Sequence, residues 1–191
     1  MKIIGVTHRK LCVDFYKTIE KICEYKLDYL VLREKDLNDS ELENMAIKIK
    51  EILSESKIKL IINGNPKVAS NVKAYGVQLS FKAFCDRVLN EFSGIMGVSV
   101  HTYKEALQAE KEGADYLIYG HIYKTDCKKG LAPRGVDELK IICHSVKIPV
   151  YAIGGINENN FQPIIKAGAT GIALMSSLMK GEKLDCYYVK E

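Results

Sequence analysis

The sequence predicts a compact (β/α)8 TIM barrel, a single domain over 1–191 with a short last helix. Three observations carry that expectation. Eight brief, nearly continuous apolar runs recur along the chain, as parallel strands covered on both faces require. Between them lie segments whose apolar residues repeat with the 3.6-residue period of an amphipathic helix. Polar residues and glycines gather just after the same end of each strand, the end at which such barrels bind ligands. An open doubly wound sheet is the alternative. The count of eight favours closure, at about 24 residues per unit.

Taken in order, the expected strands are 2–7, 29–33, 59–63, 76–79, 95–100, 116–119, 148–153 and 171–175. Phe15, Ile19, Ile22 and Cys23 share one face of the first helix. Leu42, Met45, Ala46, Ile49 and Leu53 do so in the second, with Asp39 or Ser40 as its N-cap. After the third and fourth strands the pattern is weaker, although Pro66 suits a first helical position. Thr102 followed by Glu105 reads as a capping box that opens a helix over 103–112, with Gly113 as its stop. Helices are expected at 136–144 and at 161–167, the latter ended by Gly168. The remaining 178–191 leaves little room for a full last helix.

Composition narrows the classes of function. An apolar share of 47% with 27% charged residues is that of a globular domain with a proper core. The 28 Lys and Arg against 24 Asp and Glu give +4, compatible with an anionic small ligand. No basic run or aromatic-interleaved patch points to nucleic acid, and Lys48, Lys50, Lys57 and Lys59 read as solvated helix ends and turns. No apolar run is long enough for a membrane helix. Cys12, Cys23, Cys85, Cys127, Cys143 and Cys186 are scattered, with no metal-ligand spacing. Free thiols in a reducing cytoplasm are expected, and the chain enters a strand at Lys2 with no signal peptide before it.

The strand ends, read in order, carry Thr7-His8, Arg33-Glu34-Lys35, Asn63-Gly64, Gln78, Ser99 with His101, Gly120-His121, Gly154-Gly155 and Ser176-Ser177. Alternation puts Arg33 and Lys35 on one face with Glu34 turned away, and two cations at a pocket mouth suit a carboxylate or phosphate. Gly154-Gly155 and Met175-Ser176-Ser177 end the last two strands, where backbone N–H groups hold a phosphate in many barrels. A tight βα turn is the plainer account of the two glycines, and the paired Ser on the next strand favours phosphate over it. His121 has the chemistry of a general acid/base and follows a scaffold strand directly. His8 and His101 have similar placements and stay as rivals, whereas His144 falls on a helix. Lys128 and Lys129 read as solvated loop lysines, and no His pairs with Cys127 as a nucleophile's base would.

Gly97-Val98-Ser99-Val100-His101, the stretch from Gly120-His121-Ile122-Tyr123-Lys124-Thr125-Asp126-Cys127 to Lys128-Lys129-Gly130, and Ala152-Ile153-Gly154-Gly155-Ile156 resemble the thiamine phosphate synthase/TenI superfamily. The resemblance implies a (β/α)8 barrel handling phosphorylated thiamine precursors. The synthase branch uses Mg²⁺ to join a hydroxymethylpyrimidine diphosphate to a thiazole phosphate. It carries a Gln where this chain has Val31, an Asp where it has Gly64 and a second acidic ligand where it has Ala83. His121 with Thr-Asp-Cys-Lys-Lys-Gly is similar instead to the TenI branch, which includes thiazole tautomerases.

For this chain the resemblance implies His121 as the acid/base. The substrate-binding set is Arg33, Lys35, Asn63, Ser99, Thr125, Cys127, Lys128, Gly154, Gly155, Met175, Ser176 and Ser177. No metal or redox cofactor is implied for a tautomerase. The expected partners are a small thiazole phosphate and a second copy of the chain, with Tyr187 and Tyr188 suited either to covering a barrel face between copies or, equally well, to packing as an ordinary tail. A residual synthase and a non-catalytic thiazole phosphate sensor are the other two readings.

Overall fold

Uninterrupted β-branched, Leu and Tyr runs become eight strands: β1 (Lys2–Val6), β2 (Tyr29–Leu32), β3 (Lys59–Asn63), β4 (Gly76–Ser80), β5 (Ile95–Val100), β6 (Tyr116–Gly120), β7 (Val150–Ile153) and β8 (Gly171–Leu174). The computed structural model describes residues 1–86, 92–128 and 130–188, which leaves Lys129 outside the described residues. Each strand pairs in parallel with the next, and β8 returns to β1, with Lys2 opposite Gly171 and Ile4 opposite Ala173. Closure leaves no sheet edge to protect. The barrel prediction therefore holds, and the doubly wound alternative falls. Strand ends move by one or two residues from expectation; Ile148 and Pro149 precede β7, and Thr7, Arg33 and Met175 lie just beyond their strands.

Helices follow the strands: α1 (Phe15–Ile22), α2 (Asp39–Ile52), α3 (Pro66–Asn71), α4 (Phe81–Cys85), α5 (Tyr103–Lys111), α6 (Gly135–Ser145), α7 (Gln162–Lys166) and α8 (Ser176–Met179). The four residues of α8 make the last helix as short as expected. Asp14, Asn65, Ser80 and Thr102 cap α1, α3, α4 and α5 through their side-chain oxygens, and Pro66 opens α3. Two caps differ from expectation. Asn38, not Asp39 or Ser40, caps α2, and it forms the complete capping box: its Oδ1 accepts from Glu41 N at 3.0 Å while Glu41 Oε2 accepts from Asn38 N at 2.9 Å. At Thr102 only half a box exists, because Glu105 Oε2 accepts from His101 N instead. Asn38→Ala is expected to lower stability by about 1 kcal/mol in a denaturant titration, with Ser40→Ala changing it by much less.

Two apolar shells result from the period-two alternation of the strands. The outer one lies between strands and helices and includes Ile3, Leu30, Ile62, Val98, Leu117 and Ile172. The inner one fills the barrel with Ile4, Val6, Val31, Ile61, Tyr116, Ile118, Tyr151 and Ala173. Continued toward the strand ends, the inward parity falls on Arg33, Asn63, Gln78 and Ser99. The polar mouth is thus the last layer of the same packing that fills the barrel.

Lys48 and Lys50 are exposed, as expected, and each also has a partner. Lys50 Nζ donates to Val72 O (2.7 Å) and Lys73 O (3.2 Å), neutralising the C-terminal end of α3, and Lys48 Nζ lies 3.8 Å over the Tyr16 ring. Tyr187 is buried against Phe161 of its own chain, so it is a core residue and not a cover between copies. Among the described residues no helix is long and apolar enough to cross a membrane.

Candidate active site

β6 runs buried to Gly120, and the chain then turns across the barrel mouth. His121 follows and is 6% exposed. Its carbonyl accepts from Arg134 N at 2.9 Å, and Ile122 N donates to Ile153 O at 2.9 Å, so both ends of the loop are pinned to scaffold backbone. The His121 Nε2 contact to Leu131 O is long, 3.4 Å; a carbonyl only accepts, so in this arrangement Nε2 carries the proton and Nδ1 is the basic nitrogen.

Gly154 has φ +103, and a Cβ there would overlap His121 Cβ. Gly155 has φ +69, and its Cβ would come within 2.5 Å of Lys124 O. The pair at the end of β7 therefore does more than turn the chain. It lets the β6 loop lie directly on the β7 loop, bringing His121 and Gly154-Gly155 into one site.

The rival histidines are also placed. His101 Nδ1 lies 2.6 Å from Gly120 O, which requires the proton on Nδ1 and leaves Nε2 free at the same rim. His8 is half-buried between β1 and a 3-10 turn at Arg9–Leu11, against which α8 packs. His144 is exposed on α6, donating to Lys140 O within its own helix.

The remaining predicted residues fall into three groups. Arg33, Asn63 and Ser99 are half-buried on the inward parity at the ends of β2, β3 and β5. Met175, Ser176 and Ser177 are half-buried at the start of α8, two strands round the ring from β6, and Thr125 is half-buried in the β6 loop. Lys35, Cys127 and Lys128 are exposed, the last two on a 3-10 turn at Asp126–Lys128.

Two polar groups in the barrel mouth were not among the predicted site residues. Glu34 is turned away from Arg33, as the alternation required, but into the protein: its side chain is 1% exposed. Glu34 Oε1 accepts from Thr7 Oγ1 (2.8 Å) and Arg9 N (2.9 Å), and Oε2 accepts from Arg9 Nη1 (3.0 Å). Thr7 Oγ1 in turn accepts from Arg33 N at 2.9 Å. Arg9 also grips Asp36, whose carboxyl is held well below the usual range by hydrogen bonds from Arg9 and then Lys10. The second group is Gln78, buried in β4, whose Nε2 donates to Ser99 Oγ at 2.9 Å. The sequence signal for Gln78 was a polar residue inside an apolar run; Glu34, set between Arg33 and Lys35, carried none.

Two cavities of about 750 and 730 Å³ open at the opposite end of the barrel, both bordered by Tyr75. Their walls mix Lys73, Asp115, Lys26, Asp28, Glu55 and Lys57 without a convergent set of one charge. The chemistry-bearing groups sit at the carboxyl ends of the strands, and the candidate site is placed there.

Mg²⁺ is the ion that a diphosphate transferase of this architecture would hold, and the donors here do not fit it. At the end of β3 stands Gly64, around which a Cβ would meet nothing within 4 Å, so the missing carboxylate is not a matter of space. Ala83 is exposed on α4. The nearby buried carboxylate, Glu34, is already engaged by Thr7 and Arg9. No group of three or more His, Cys, Asp or Glu converges among the described residues.

Comparison with known proteins gives a consistent family. A family model described as thiamine monophosphate synthase (TMP-TENI) matches residues 3–178. The thiamine-phosphate synthase of Clostridium acetobutylicum is 38% identical over 188 residues, covering 96% of this chain and 89% of that protein. That of Clostridium tetani is 36% identical over 172 residues, covering 88% and 82%. Among solved structures, a thiamine phosphate pyrophosphorylase from Pyrococcus furiosus superposes with a TM-score of 0.81 at 32% identity, covering 94% of this chain and 87% of that one.

Proposed function

The chain belongs to the thiamine monophosphate synthase (TMP-TENI) family, and on that premise we propose that it is a thiazole tautomerase. It would aromatise the exocyclic tautomer of a carboxythiazole phosphate. One proton leaves ring C2, beside the carboxylate and the ring imine, and one is added to the exocyclic alkene carbon; no bond to phosphorus changes and no electrons are exchanged with a cofactor. The observation that carries this reading is a buried histidine, His121, backed by Gly154 at a barrel mouth whose Gly64 and Ala83 positions supply no carboxylates. An imidazole with one basic and one protonated nitrogen suits a proton shift. Backbone around Gly155 and Ser176 would take the phosphate, with Thr125 and Ser177 beside it. Arg33, half-buried with its main chain tied to Thr7, would face the carboxylate; Lys35, Cys127 and Lys128 would line the entrance. A second copy of the chain belongs to the same proposal and is read from its mass in solution.

A transferase reading is favoured by the names of the relatives, since proteins 38% and 36% identical to this chain are thiamine-phosphate synthases. One pair of assays separates the two. Freshly made exocyclic tautomer, mixed with the protein without Mg²⁺, should aromatise faster than in buffer. Thiazole phosphate with the pyrimidine diphosphate and Mg²⁺ should give no thiamine phosphate. The reverse pattern establishes the transferase, and tight binding of the aromatic product with neither activity identifies a sensor. Arg33→Ala should weaken binding of the carboxythiazole phosphate about 10-fold to 100-fold while leaving the decarboxylated thiazole phosphate within a few-fold.

A further inference from the structure

Gln78 interrupts the apolar strand β4 and is 2% exposed, with its side chain inside the barrel. Its amide faces two ways. Nε2 donates to Ser99 Oγ at 2.9 Å, toward the mouth. Among the described residues Oε1 is buried with no hydrogen-bond partner, and so is the hydroxyl of Tyr116, a residue 3% exposed on β6. The two orphaned oxygens are near neighbours, because a Cβ built on Gly97 of β5 would overlap both the Gln78 amide oxygen and the Tyr116 phenol. Gly97 is the hollow in which they meet.

A phenol has one hydrogen to give, and an amide oxygen can only accept. Burial pushes the Tyr116 phenol far above its usual range, so it stays protonated at any working pH. A protonated phenol beside Oε1 favours the orientation in which the amide oxygen lies on the Tyr116 side and the nitrogen donates to Ser99.

We propose that Gln78 is a positioning residue that sets the polarity of Ser99, so that Ser99 meets the substrate as a hydrogen-bond donor. With one Ser99 lone pair occupied by the Gln78 N–H, the hydroxyl hydrogen points into the mouth. It then selects a ligand that offers an acceptor there, and on the proposed substrate class that acceptor is the carboxylate. The arrangement runs from Tyr116 deep in the barrel through Gln78 to Ser99 at its rim, and Gly97 makes room for it. The Gln78 N–H is already committed to Ser99, so this part of the mouth need not reorganise when the ligand arrives.

The test is a double-mutant cycle in the full-length protein, read as the dissociation constant of the aromatic carboxythiazole phosphate. Gln78→Met, neutral and close in size, should weaken binding about tenfold, as loss of one oriented hydrogen bond to a charged group would. In the Ser99→Ala background the same change should alter affinity by less than about twofold. Equal losses in both backgrounds would overturn the proposal, since Gln78 would then act on its own. A readout independent of any ligand uses the Gln78 side-chain amide resonances of the free protein. They should be protected from exchange and should move on Ser99→Ala and on Tyr116→Phe. Unprotected resonances indifferent to both changes would sink the arrangement even if the tautomerase reading stands. If no thiazole phosphate binds, that reading falls, and the resonances still decide the polarity.

Discussion

His121→Gln should reduce the rate of aromatisation about 10²-fold to 10⁴-fold, the range typical of a positioned general acid/base, while changing ligand affinity by less than about threefold. Glutamine is near in size to imidazole, and its amide can still donate to Leu131 O, which His121 Nε2 approaches at 3.4 Å. The backbone of the loop is anchored elsewhere, by Arg134 N on His121 O and by Ile122 N on Ile153 O, so the substitution should leave the mouth in place. An amide, however, neither takes nor returns a proton near neutral pH. The split between turnover and affinity is therefore the informative quantity. Turnover measured by absorbance and affinity measured by calorimetry give both numbers. If turnover is unchanged, His121 loses its role and His8 and His101 become the candidates, the latter with its Nδ1–H donating to Gly120 O.

Glu34→Ala should destabilise the fold by about 2–4 kcal/mol in a denaturant titration, the cost of leaving the buried Thr7 hydroxyl and the Arg9 main-chain N–H without their acceptor. Thr7 is fully buried, and its hydroxyl has Glu34 Oε1 as its acceptor. Arg9 loses a carboxylate contact at its guanidinium and another at its main-chain N–H. Asp36 keeps hold of Arg9 from the solvent side but cannot reach the Thr7 hydroxyl in place of Glu34. Glu34→Gln retains acceptors and shape and should cost about 1–3 kcal/mol. Because Thr7 Oγ1 accepts from Arg33 N, the Ala variant should also bind carboxythiazole phosphate more weakly at temperatures where it is still folded. A loss of less than about 1 kcal/mol for Ala would show that the region relaxes and that Glu34 does not organise the mouth.

The elements that were legible in the sequence are those whose cause is local. Eight apolar runs gave eight strands because strand formation there needs only a run that can be covered on both faces. Gly113 and Gly168, at φ +88 and +97, end helices as their type implies. The Asn38 cap was missed by one or two positions because Asn38, Asp39 and Ser40 are all good capping residues, and helix phase alone does not choose among them. Most of the candidate mouth was legible for a similar reason: period-two alternation carries Arg33, Asn63 and Ser99 to one face at one end.

What the tertiary structure decided depends on which strands become neighbours when the barrel closes. Glu34 in isolation is a surface carboxylate between two cations; its burial exists only because β1 and β2 pair in a register that sets Val6 against Val31 and brings Thr7 and Arg9 to it. Gln78, Gly97 and Tyr116 are separated in sequence and meet because β4, β5 and β6 pair with Gln78 opposite Gly97 and Gly97 opposite Tyr116. Gly154 reads as a turn glycine until the β6 loop is laid on it. A sequence by itself determines the period and polarity of each strand. Register across three strands is a property of the closed sheet, and the hydrogen bonds and close approaches that build this site are set by register.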